Sequence, residues 1–177
     1  MGLFKRKTNN NADDAPKTIV QEENRERDSQ RKMTTTQFLE HALKKLGCKL
    51  KKGEGEDEYY TLFQGEHFRI FASDDYKYIE IQDLAWYDAP LHDINNMSLM
   101  RKAINDCNVS GQATLVYSIY EEDDQFVVHS LKEAYWSAEI EHAEEYLNSI
   151  FNRLLQSHQR FFSRMEALRQ AEFSKNQ

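Results

Sequence analysis

Only two cysteines, two prolines and six glycines occur among the 177 residues. Cys48 and Cys107 form no CxxC pair and read as free thiols. Two lone thiols point to a reducing compartment, with the cytoplasm as the expected location. The glycines form neither GxGxxG nor GxxxxGK[ST], which removes the common phosphate-cradling loops. There is no GxSxG elbow and no HExxH zinc helix. No apolar run approaches the roughly 18–20 residues that span a bilayer. The opening Met1-Gly2-Leu3-Phe4-Lys5-Arg6-Lys7 has no signal-peptide core. It also has arginine where myristoylation calls for Ser or Thr.

Positive charge is scarce as well. The net charge is −7, and its distribution is uneven. Residues 1–33 hold eight basic and six acidic groups, leaving fifteen basic against twenty-four acidic for the rest. An acidic body repels polyanions, so nucleic acid is not an expected partner. What is plentiful is aromatic: ten Phe, nine Tyr and two Trp, large side chains that compensate for a short chain.

Length and pattern predict a tail over 1–33 and a single α+β domain over 34–177. The polar tail, with Asn9-Asn10-Asn11 and Asp13-Asp14, is expected to be disordered. Leu3, Phe4, Lys5, Arg6 and Lys7 allow weak contact with an anionic membrane surface, too short for stable anchoring. At Thr34 a T-x-x-Q capping box opens a helix over roughly 34–46. Met33 and Phe38 sit at the staple positions, and Gly47 supplies the left-handed stop. After a polar loop, alternation predicts strands at Tyr59–Gln64, His67–Ser73 and Tyr76 to about Tyr87. The third is inconsistent with itself. Ile79 and Ile81 point one way and Leu84 and Trp86 the other, which requires a bulge near Gln82-Asp83 or exposure of one pair. Pro90 ends the segment.

Asn95 or Asn96 is read as the cap of a second helix carrying Met97, Met100, Ala103 and Ile104. Ala113–Ile119 and Phe126 to about Tyr135 form a hairpin with the acidic tip Glu121-Glu122-Asp123-Asp124. From Ser137 to about residue 173, a three-four spacing predicts one long helix. Its stripe includes Ile140, Leu147, Leu154, His158, Phe161, Met165 and Leu168. Carboxylates crowd its start and arginines its later turns, which complements the helix dipole.

The resulting order, α-β-β-β-α-β-β-α over about residues 34–165 with an antiparallel sheet, resembles the YbjN-like proteins and the wider type III secretion chaperone-like fold. The resemblance rests on the helix at Thr34–Leu46, the strands Tyr59–Tyr87, the helix at Met97–Ile104, the hairpin Ala113–Tyr135 and the closing helix. It implies a non-enzymatic protein linked to secretion chaperoning or sensory regulation, with no catalytic residues to carry over. The closing helix is longer than such a fold needs.

Chemically, Glu139, His142 and Glu145 are the best metal-like group, because ExxH on one helix face occurs in di-metal bundles. No second matching set exists, so a solvated acidic face is the simpler reading. The tip Glu121–Asp124 lacks the spacing of a calcium loop. No catalytic group and no cofactor is expected. The candidate partner-binding residues are Trp86, Tyr87, Tyr135 and Trp136 near strand ends, and Phe161, Phe162, Met165 and Leu168 on the far half of the closing helix. At about 1.5 Å per residue that helix runs roughly 50 Å, more than a small sheet is expected to cover. The leading expectation is therefore a binding module that meets a polypeptide, or a second copy of itself, through a sheet face and this helix. A small metal-dependent enzyme and a peripheral membrane factor are the alternatives.

Overall fold

A computed structural model describes residues 29–30 and 32–175. The residues Leu3 to Lys7, read as a candidate for membrane contact, and most of the tail lie outside these residues. Met33, just before Thr34, packs against the core.

Helix α1 spans Thr35–Lys45 and begins as its capping box predicts. The Gln37 N–H donates to Thr34 Oγ1 at 3.4 Å, and the Thr34 N–H donates to Gln37 Oε1 at 3.1 Å. Gly47, at φ 75°, turns the chain out of the helix. A two-residue strand β1 (Lys51–Lys52), which no sequence signal announces, follows in the polar loop. Strands β2 (Glu58–Phe63) and β3 (Glu66–Ala72) meet through Gln64 and Gly65, both at positive φ. Positive φ at both central residues is the type I′ hairpin turn, and it falls one residue earlier than the Gly65-Glu66 gap between the expected strands.

Strand β4 is thirteen residues long, Tyr78–Pro90. Helix α2 (Ile94–Ser110) is capped by Asp93, whose side chain accepts from the Asn96 N–H at 3.0 Å. Asn95 and Asn96 thus lie inside the helix rather than at its cap. The hairpin follows as β5 (Thr114–Tyr120) and β6 (Gln125–Tyr135). Helix α3 (Ala143–Lys175) closes the chain. Its start is six residues later than the spacing predicts. The Trp136 N–H is tied to the Lys77 carbonyl at 2.8 Å, and His142 at φ 53° interrupts any continuous helix.

The six strands form one antiparallel sheet in the order β1-β2-β3-β4-β6-β5. This is an α+β fold in the expected order, with β1 added. Period-two alternation sends Phe63, Phe68, Ile70, Ile79, Ile81, Phe126 and Val128 to one face, where the helices cover them. Two apolar clusters result. One lies under α1 and the first half of α3, the other between α2, the far half of α3 and the strands β4 to β6.

Candidate functional site

The bulge anticipated in β4 is present. Its register against β6 shifts between Asp83 and Tyr87, and Ala85 adopts φ 54°. The shift restores parity, so Trp86 joins Ile79 and Ile81 on the helix face while Leu84 stays exposed.

That bulge sets up a buried polar layer between the two apolar clusters. Asp83 lies opposite Ser130 in the sheet, and both are buried. From α3, His158 Nε2 comes within 2.9 Å of Asp83 Oδ2, and the Trp86 ring stacks on the imidazole at 4.2 Å. On the opposite sheet face, the Ala85 N–H donates to His129 Nδ1 at 2.9 Å. His129 Nε2 lies 3.0 Å from Ser118 Oγ. An accepting Nδ1 requires the neutral ring, with Nε2–H as donor to the serine. Burial, and secondarily the Arg69 charge, hold His129 below its ordinary value of 6.5. The unfolded chain therefore binds the proton first as acid is added. The contribution of His129 to stability is complete above about 6.5 and fades as pH falls through the depressed native value. Urea midpoints at pH 7.5 and 5.5 should differ more in the parent than in His129→Gln; equal differences would exclude this role.

The structure sorts the candidate residues by depth. Trp136 is fully buried against Phe38, at 5.2 Å between rings, whereas its neighbour Tyr135 is exposed and meets Tyr78 edge-on. Phe161 and Met165 are buried, Leu168 packs on the second cluster, and Trp86 and Tyr87 are half-buried against Phe161 and Phe162. Phe162 remains 46% exposed. The expectation that the far stripe needs an outside cover is therefore corrected. Thirteen residues of β4 span about 43 Å at roughly 3.3 Å each, and α2 flanks the helix alongside. Arg164 pairs with Asp106, Arg169 donates to Asn96, and Lys102 pairs with Glu172.

The metal-like group is also corrected. Glu139 and His142 lie in the turns before α3, and only Glu145 is on the helix, so the assumed shared helix face does not exist. Among the described residues, no three His, Cys, Asp or Glu side chains are grouped to hold a metal ion. At the acidic tip, Asp124 pairs with His92. Cys107 is buried and Cys48 half-buried; burial raises both thiols above their ordinary values.

Sequence reading points to a working sheet face and names Tyr135; what it misses is the other exposed side chains on the helix-free face. There Leu62, Tyr78, Tyr120 and Tyr135 stand 51, 63, 47 and 41% exposed. Glu58, Arg69 and Gln82 cross three strands as a polar ladder, with Arg69 Nε donating to Gln82 Oε1 at 2.9 Å. Beside them, Phe71, Tyr76, Tyr78, Glu80 and Glu133 line an open groove of about 550 Å³. Among the described residues, no helix is long and apolar enough to cross a membrane.

No protein-family model matches the chain, and no curated protein sequence matches it. Among solved structures, an uncharacterized protein from Methanothermobacter thermautotrophicus is similar, with 12% identity over 75% of this chain and 97% of that one, at a TM-score of 0.52. YbjN from E. coli, the namesake of the resemblance read from the element order, matches with 13% identity over 75% of this chain and 90% of its own, at a TM-score of 0.43. The archaeal likeness is one of fold and extends no further.

Proposed function

We propose that the chain is a non-enzymatic binding module that presents the helix-free face of its sheet to a polypeptide. The carrying observation is the placement of Tyr78 and Tyr135 in edge-to-face contact, 5.7 Å apart, on a sheet face that no described helix covers. Antiparallel sheets often leave one face in water. A solvated face usually bears charged and small polar groups, whereas exposed tyrosines of this kind are favoured at interaction hot spots. The groove beside them is rimmed by Glu80 and Glu133, which suits a segment bearing basic side chains. The absence from the sequence of phosphate-loop and nucleophile-elbow motifs fits a role without catalysis. The two unpaired thiols fit a cytoplasmic setting.

Photo-crosslinking residues placed at positions 78 and 135, with exposed Arg101 on α2 as control, test the reading in lysate of the source cells. The expected result is one polypeptide captured from both sheet positions and not from 101. Capture that is equal at all three positions, or absent at 78 and 135, would overturn it.

A further inference from the structure

The sheet ends on β5, and the chemistry of that edge points to a second copy of this chain. In an antiparallel pair, alternate residues turn their N–H and C=O away from the partner strand. On β5 the outward residues are identified by Asn108. Its Oδ1 accepts from the Leu115 N–H at 2.7 Å, and its Nδ2 donates to the Leu115 carbonyl at 2.9 Å. The backbone N–H and C=O of Leu115 therefore point away from β6, although its side chain is buried, and those of Tyr117 and Ile119 two and four residues on point the same way. Asn108 caps only the first of these positions.

The remainder of the edge lacks the devices that protect exposed strands. Thr114–Tyr120 contains no charge, no proline and no glycine. Tyr117, Ile119 and Tyr120 are 39, 51 and 47% exposed. The geometry points to a two-fold antiparallel pairing of β5 with β5 of another copy, centred on Ser118.

Three features favour that register. Pairing Tyr117 with Ile119 of the copy, and the reverse, uses both open positions and leaves the Asn108 cap undisturbed. It places Tyr117 against Ile119 on one face and Val116 against Tyr120 on the other, and such aromatic to β-branched pairs stabilise a ladder. It also carries the acidic tip that begins at Glu121 toward the start of the neighbouring β5, where Arg153 and Arg160 line one small pocket with Leu115. A two-fold contact repeats each of these interactions. The two sheets then continue as one, and the binding face proposed above doubles in width, although the pairing does not depend on that reading.

The test uses the full chain in sedimentation velocity at micromolar concentration. The parent is expected to be a dimer, and Ile119→Lys a monomer. Ile119→Pro should also be a monomer with an unchanged circular dichroism spectrum, because the N–H it removes faces outward and serves no intrachain ladder. Phe162→Ser, exposed elsewhere, should remain a dimer. A single Ser118→Cys substitution should give a disulfide-linked dimer under mild oxidation, since directly opposed residues in a non-hydrogen-bonded pair lie about 4.5 Å apart at Cα. A monomeric parent, or a dimer that survives Ile119→Lys and does not crosslink through position 118, would overturn the proposal.

Discussion

Phe161→Ala is expected to lower unfolding stability by about 3–5 kcal/mol, whereas Phe162→Ser should lower it by less than about 1 kcal/mol. The neighbours differ because α3 turns them to opposite environments. Phe161 is completely buried, with Trp86 and Tyr87 rings 5.3 and 5.4 Å away. Deleting its ring leaves a cavity in a cluster fixed by strands β4 to β6 and α2, with little freedom to collapse inward. Phe162 touches the same two aromatics but keeps 46% of its surface in water. Urea denaturation followed by tryptophan fluorescence separates them. Similar losses for both would mean that the far half of α3 is not seated on the sheet as described.

The second large effect concerns Asp83. His158→Ala should cost about 3–5 kcal/mol, because it strands a carboxylate that has only 3% of its side-chain surface exposed. It also removes the ring on which Trp86 stacks. Replacing both members with apolar residues, as in Asp83→Leu with His158→Met, should cost less than the single change. Chemical denaturation of the single and paired variants decides the matter. A loss under about 1 kcal/mol for His158→Ala would show that solvent reaches the carboxylate without difficulty.

Where a signal is local, the sequence foretells the structure well. Thr34, Gln37 and Gly47 define α1 because a cap and a left-handed stop are short-range chemistry. The β4 bulge is legible as one of two outcomes, because Ile81 and Trp86 differ in parity, so either the strand shifts register or one pair is exposed. Other features depend on tertiary contacts. The corner at 137–142 continues a helical spacing, but Trp136 anchored beneath α1 overrides it. Lys51–Lys52 becomes a strand only because Tyr59 and Tyr60 offer a ladder. Tyr135 and Trp136 illustrate a signal present but pooled: adjacent residues at a strand end face opposite ways, and only the first reaches solvent. Asp83 and His158 are far apart in sequence, and His158 registers there only as one polar residue in an apolar stripe.

That single polar residue has a consequence for how the long helix finds its seat. A greasy cylinder lying on a greasy floor has several nearly equal berths, each about 5.4 Å from the next. Sliding by one turn would bring Leu154 or Phe162 over the Asp83 carboxylate and leave the imidazole among hydrocarbon. Both mismatches are penalised, so the peg on the cylinder and the socket in the floor leave one berth favoured over its neighbours.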